Sequence, residues 1–526
     1  MKHTLKYAFL TLFLGVSANS YLQNPAGSPM KYAETITSGE LKKYLYDIAG
    51  TEFEGRETGK KGQKLAADYL ANHFKKLGIP PSVNGGYFQT FPLIEEMPGG
   101  VSISLSGEKF EFLKDFYCWP SHNNIHLRTN QLTFIGFGIE DEAHHYNDYK
   151  NMDVKDQVVM MLQDEPMNND GDSYITGKKE LSSWTKSFKK KIELAEKKGA
   201  SAVLLVIKNI GNDLKYYEHY LKKSRTFLEN EERKYGFPVL YISEEMANKA
   251  LSKHKKGLTI ESWKEKMRNT GTPDGIVLKT GVELNIQKDI KKITGENVLG
   301  YIEGTDLKDE LVVITAHYDH LGISDGEIYY GADDDGSGTV SLMEIAEAFM
   351  VAKKEGKGPR RSVLIMPVSG EEKGLLGSDY YTQNPVFPLK NTVVDLNIDM
   401  IGRLDENHTG DPDYVYIIGS DKLSGELFEL SEEVNKKYIN IKYDYTYNDD
   451  SDPNRFYYRS DHYNFAKNNI PVIFYFTGVH EDYHKPTDTV DKIDYQKTER
   501  IARLVFLTAW EIANRTKRLE VDRIPK

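Results

Sequence analysis

Three consecutive aspartates, Asp333, Asp334 and Asp335, stand between glycines in the run GADDDGSG at residues 331–338. Adjacent carboxylates repel one another, so such a run either lies in a solvated turn or is gathered by a cation. Four other places carry residue types that bind zinc. His317 ends the apolar run ELVVITAH. Glu371 and Glu372 follow RSVLIMPVSG, Asp399 follows TVVDLNI, and His484 lies in the loop after PVIFYFTG. Imidazole and carboxylate without thiolate is a zinc donor set. Two zinc ions about 3.5–4 Å apart need a carboxylate that bridges them. Asp334 can bridge, with His317 and Asp399 completing one metal and Glu372 and His484 the other. Glu371 is then left uncommitted beside the shared water, where a general base belongs. Asp319, two residues beyond His317, can accept the second ring N–H of a ligating histidine and fix its tautomer.

Each residue has an ordinary explanation when taken alone. An acidic pair after a strand can be the charged start of a helix, and an aspartate there can be a turn residue. Placement makes the difference. His317, Glu371, Glu372 and Asp399 all sit at or just past the carboxyl end of an apolar strand pattern. In an open α/β sheet, ligands gather in the crevice outside those ends. His480 and His484 are four residues apart in HEDYHKP, but this stretch lies between a strand and a proline, so it reads as a loop and not as a helix presenting both rings.

The elements that must position these residues are legible as patterns. Strands alternate with helices from about Asn297 onward, and Gly338–Ala352 reads as a helix starting just after the aspartates. Near the start, Leu65, Tyr69, Leu70, Phe74 and Leu77 have helical spacing closed by Gly78, with Pro80 and Pro81 beyond. Residues 115–285 have their own strand–helix rhythm and show no cluster of histidines with carboxylates. A length of 526 residues exceeds what one core holds. The expected division is a signal peptide at 1–20, a catalytic domain from 21–114 and 286–526, and an inserted domain at 115–285.

Bulk properties narrow the function. A net charge of −11 gives no electrostatic footprint for nucleic acid. Lys2 and Lys6 precede the apolar run YAFLTLFLGV, which is too short to span a bilayer, and small residues follow it. This is the pattern of a secretory signal, so a secreted or periplasmic location is expected, with no stable membrane insertion after its removal. The single cysteine, Cys118, excludes an internal disulfide framework. Nothing in the sequence sets an oligomeric state.

The stretches AHYDHLG, GADDDGSGT, SGEEKGLLGS, NIDMIGR, RSDHYNFAKNNIPVIFYFTG and EDYHKPTDT occur in the order found in a known family. The chain resembles the co-catalytic di-zinc exopeptidases that include aminopeptidase Y, glutamate carboxypeptidase II and the non-catalytic transferrin receptor. The middle region resembles a protease-associated domain. The resemblance implies a doubly wound, mixed-sheet α/β zinc-exopeptidase domain with an inserted α/β domain, two Zn2+ per chain, and peptide substrates with a free N-terminus. It selects Asp334 from the three aspartates as the bridge, His484 in preference to His480 as the ligand, with His480 left to a loop role, and Glu371 as the base. It also makes Tyr483 and Arg459 candidate stabilisers of the oxyanion, and places Asp461 and His462 behind the ligands. Asp335 and Ser337 are left to cap the following helix, and Asp333 to face polar groups or solvent. Carboxypeptidase, dipeptidase and glutaminyl cyclase chemistry are the alternatives on the same site. The few, scattered arginines of the middle region, Arg128, Arg225, Arg233 and Arg268, disfavour an acidic C-terminal substrate. The full set of candidate ligands disfavours a receptor-like protein without activity.

Overall fold

The structure, a computed structural model, describes residues 28–119, 124–231 and 235–523. The expected signal peptide lies outside the described residues. No helix among the described residues is long and apolar enough to cross a membrane. The chain forms two compact units. One comprises the residues up to Phe91 together with those from Gly295 onward, and the other runs from Pro92 to Thr294. The boundaries fall within two long strands, Phe88–Leu105 and Val282–Val298, so no turn marks them in the sequence.

The first unit is built on a seven-stranded mixed sheet. Its strands are β1 (Gly300–Ile302), β2 (Leu307–His317), β3 (Arg361–Val368), β4 (Thr392–Ile398), β5 (Tyr414–Ile418), β6 (Lys442–Asp444) and β7 (Val472–Phe476). They lie in the order β1-β3-β2-β4-β7-β5-β6. β3, β2, β4 and β7 are parallel neighbours. β1 pairs antiparallel with β3, and β5 pairs antiparallel with β7. Parallel strands covered on both faces read as continuous apolar runs, and every residue of β3, β4 and β7 is buried. Helix α1 (Gly338–Lys354) and the closing helix α2 (Tyr495–Asn514) pack through Phe349 against Phe506 and Trp510, with ring centroids 4.8 and 6.0 Å apart. Because the four central strands are parallel, their carboxyl ends share one edge, and the segments after them carry the residues singled out above.

The second unit holds a six-stranded sheet. Its centre is four parallel strands, Leu132–Phe134, Val158–Leu162, Ala202–Ile207 and Val239–Ser243. Two short antiparallel strands flank them. Its core is separate, centred on Trp263, Phe134, Phe137 and the buried faces of these strands. Cys118 is buried in it.

One residue from the N-terminal segment braces the first unit's functional edge. Arg56 is wholly buried and lies in a stretch, Glu54 to Arg56, with positive φ. Gly55 within it is obligatory, since a Cβ there would come within 2.5 Å of the carbonyls of Tyr329 and Gly322. The Arg56 guanidinium donates to four backbone carbonyls: Tyr318 at 2.7 Å, Ile48 at 3.1 Å, Tyr330 at 2.8 Å and Gly331 at 2.8 Å. It therefore pins the turn after His317 to the segment that leads into the aspartates. Replacing Arg56 with Met would strip donors from these carbonyls, at a cost of about 3 kcal/mol or more. Arg56→Lys keeps the charge without the fork and is expected to fall between wild type and Met in urea midpoint.

Candidate metal centre

Asp334 is the hub. Its Oδ1 lies 3.2 Å from His317 Nε2, and its Oδ2 lies 3.1 Å from His484 Nε2. His317 Nε2 is also 3.6 Å from Asp399 Oδ1 and 3.9 Å from Glu371 Oε2. His484 Nε2 is 3.2 Å from Glu372 Oε2. Thus the two oxygens of one carboxylate face two separate groups, His317 with Asp399 and His484 with Glu372. All five residues named as ligands come together, and Glu371 stands beside them. Asp335 lies within 4.8 Å of His317 and Asp399 through candidate ligand atoms, as His320 does of Asp334 and Glu372.

The local backbone explains the arrangement. β2 ends at His317, β3 at Val368 and β4 at Ile398, so each acidic or imidazole side chain follows a rigid strand. The turn Ala332–Ser337 is wide and irregular, with non-helical torsions at Asp334 and Asp335 and a cis peptide between them. Of the two surroundings expected for Asp333, polar groups or solvent, the structure shows polar groups. The residue is wholly buried, accepts a 2.6 Å bond from Gly402 N–H, and has His480 Nε2 3.3 Å from its other oxygen. Asp335 accepts from Gly338 N–H at 2.9 Å, at the start of α1, and from Met400 N–H at 3.1 Å. Ser337 does not cap: its hydroxyl bonds to the Asp333 carbonyl and accepts from Ile401 N–H.

Asp319 is also placed differently from expectation. His317 Nδ1 lies 3.1 Å from the backbone carbonyl of Asp319, while the carboxylate is 3.9 Å away. The strand stops at His317, so the alternation that would have put both side chains on one face does not continue. The Asp319 carboxylate instead accepts from Thr58 Oγ1 at 2.5 Å and Glu371 N–H at 3.3 Å. It positions the Glu371 backbone. Tyr483 is half-buried and stacks on the His484 ring at 3.8 Å. Arg459 is exposed, its guanidinium 4.8 Å from the Phe456 ring centroid. Asp461 is wholly buried, with Ser378 Oγ donating to it at 2.5 Å; burial pushes it up to about 7. His462 is buried against Phe474.

Several residues with clear roles in the geometry escaped the sequence reading. Asp488 accepts the backbone N–H groups of Asp333 and Asp334, at 3.0 and 3.2 Å. Ser460 Oγ donates to Asp399 Oδ2 at 2.7 Å and accepts from Asn397 at 2.8 Å. His480 lies in a loop, as expected, but is buried there as a partner of Asp333. Only the repeated histidines of AHYDH and HEDYH gave a signal.

The electrostatics show what the site requires. Burial raises Glu371 well above the usual carboxylate range, with Glu372 and Asp399 adding to it. Burial would raise Asp334 too, but His317 and His484 hold it far below that range. Burial opposes a charge on His484, yet Asp334 and Glu372 push it up to about 10. The carboxylates thus draw positive charge wherever they find it. Asp334 Oδ2, Asp335 Oδ2, Glu372 Oε1 and both nitrogens of His320 are buried without a hydrogen-bond partner. Buried polar atoms left unpaired are costly. Unpaired oxygens and nitrogens converging on Asp334 are a donor set that fits zinc.

Comparison with known proteins agrees with this geometry. Residues 297–509 match the model of peptidase family M28. That segment is an M28 peptidase domain. It contains every ligand candidate and the Glu371–Glu372 pair. The chain is 22% identical over 493 residues to a Saccharomyces cerevisiae protein named as a zinc metalloprotease, covering 89% of this chain and 55% of the relative. It is 30% identical over 212 residues to an Arthroderma benhamiae protein named as a leucine aminopeptidase, covering 39% of this chain and 55% of that one. The chain thus spans about half the length of the curated relatives it matches. The solved structure of an aminopeptidase from Aneurinibacillus sp. strain AM-1 superposes with a TM-score of 0.52 at 17% identity, over 94% of this chain and 98% of that one, and so shares the fold.

The M28 domain's aspartates are expected to separate in experiment. Asp334→Asn should remove most bound zinc, measured by elemental analysis after dialysis. Asp333→Asn should retain zinc and lower the melting temperature, because its bonds go to Gly402 and the His480 loop. Equal zinc loss in the two variants would show that Asp334 is not the shared ligand.

Proposed function

We propose that this protein is an exported two-zinc aminopeptidase that removes N-terminal residues from peptides. The observation that carries the reading is the pair of faces on Asp334, with His317 and Asp399 on one side and His484 and Glu372 on the other. By this reading those five residues hold the two ions. When bound, the ions would polarise the scissile carbonyl and lower the pKa of the attacking water.

The chain's own groups supply the rest. Glu371 reaches the same space from the His317 side and has its backbone fixed by Asp319. Its raised proton affinity suits a group that takes a proton from water and returns it to the leaving amine. Tyr483, held by stacking on His484, presents a hydroxyl that burial and the neighbouring Asp334, Glu372 and Glu371 keep protonated. A protonated phenol is a donor for the developing oxyanion. Arg459, acting from the exposed edge, adds positive charge that acts on Tyr483. The remaining carboxylate charge favours a substrate α-ammonium group, which is the basis for preferring aminopeptidase activity. The names of the relatives, zinc metalloprotease and leucine aminopeptidase, accord with this reading. The second unit, which contains residues 115–285, is taken as a protease-associated domain on its sequence resemblance, and residues 1–20 as the export signal.

Glu371→Gln is expected to lower kcat on aminoacyl p-nitroanilides by about 10²–10⁴-fold while zinc content stays at the wild-type value. Loss of zinc with activity would instead make Glu371 a ligand. A chelator should abolish cleavage and added Zn2+ should restore it. N-acetylated versions of the same substrates are expected to resist cleavage; equal rates on free and acetylated amines would overturn the aminopeptidase assignment.

A further inference from the structure

His320 is a buried histidine beside the centre that the proposed mechanism leaves unused. It follows His317 by three residues in AHYDH and is wholly buried. Its backbone N–H is held by the Arg56 carbonyl at 3.2 Å. Its ring is held by the close approach of Gly331, where a Cβ would lie 2.4 Å from His320 Cγ. Neither ring nitrogen has a hydrogen-bond partner. An imidazole fixed this firmly, with both nitrogens unmet, costs free energy unless something else meets them.

The surroundings identify what meets one of them. His320 Nδ1 lies 3.0 Å from Glu372 Oε1 and 3.8 Å from Asp334 Oδ2. Both oxygens are buried, and Asp334 Oδ2 also has His484 Nε2 3.1 Å away. At 3.0 Å a hydrogen bond to Glu372 is within reach, yet the direction of the ring nitrogen misses the oxygen. Such a miss is expected when both atoms point at a third centre between them. On the far side, His484 Nε2 is 3.1 Å from Asp334 Oδ2 and 3.2 Å from Glu372 Oε2. Donors placed tetrahedrally around one zinc, with bonds of about 2.0–2.1 Å, are about 3.3 Å apart. The separations of 3.0 to 3.8 Å bracket that value, with Glu372 turning Oε1 to His320 and Oε2 to His484.

We propose that His320, through Nδ1, is a fourth protein ligand to the zinc held by Asp334, Glu372 and His484. The inference rests on the two-zinc reading above and extends it. It makes the two positions unequal. The position on the His484 side is filled by protein donors, which is the pattern of a closed site. The position with His317 and Asp399 keeps an open place. The closed position would then retain its ion under conditions that strip the other.

X-ray absorption at the zinc edge of the two-zinc protein tests this directly, because it counts imidazoles without any variant. Three imidazoles per two zinc ions are expected, from His317, His484 and His320. Two would overturn the proposal while leaving the two-zinc enzyme intact, and failure to bind zinc would overturn both. His320→Gln is expected to reduce the count from three to two and to weaken one of the two zinc affinities by at least about tenfold. The imidazole count decides the point, since a group that only supports a ligand also alters affinity but leaves the wild-type count at two.

Discussion

The M28 domain's functional edge is governed by electrostatic crowding. Asp333, Asp334 and Asp335 are consecutive and buried; Asp399, Glu371 and Glu372 close in from neighbouring strand ends. Away from water, like charges repel strongly, so the arrangement persists only if each carboxylate has its own donor. Asp333 has Gly402 N–H and His480. Asp335 has Gly338 N–H and Met400 N–H. Asp334 has His317 and His484. The three neighbours point in three directions, and only the central one faces both histidines of the centre. The irregular torsions of the turn and the glycines around it follow from that division.

Support for this edge comes from segments far away in the chain. Asp488 holds the N–H groups of Asp333 and Asp334 from one side, and Arg56 holds the carbonyls of Tyr330 and Gly331 from the other. The aspartate turn is therefore braced through its backbone, which leaves the Asp334 side chain to the centre. Ser460, itself held by Asn397, donates to the Asp399 carboxylate, and Asp319 holds the Glu371 backbone. An outer layer of this kind fixes the direction of each donor before any ion arrives.

The grouping of His317, Glu371, Glu372 and Asp399 was legible in the sequence because each stands at or just past the end of an apolar strand, and parallel strands deliver their ends to one edge; Asp334 was marked by the acidic run before a helix, and His484 by the loop after the last of these strands. The seven-stranded sheet and its flanking helices were legible for the same reason. What escaped was whatever depends on side chains meeting backbone. Arg56 donates only to carbonyls, which leave no trace in a sequence. Asp319 lost its expected partner because β2 stops at His317, two residues before it, so alternation does not continue. Which partners Asp333 would find was not legible, because Gly402 and His480 lie in loops far along the chain. His320 was hidden by its neighbour, since one histidine had already accounted for the motif. The division between the two units lies inside continuous strands, so composition carried no mark of it.

The long strands Phe88–Leu105 and Val282–Val298 are adjacent in one sheet. The stretch of about 200 residues between Pro92 and Thr294 therefore returns to its starting point. Arg56 and the carbonyl of Tyr318 are separated by 262 residues in sequence. Once the adjacent strands have paired, the stretch of free chain joining them is only about 60 residues. The entropy of closing that loop falls by about 1 kcal/mol. The second unit thus acts as a splice, letting the first be split in two along the sequence with little penalty in assembly.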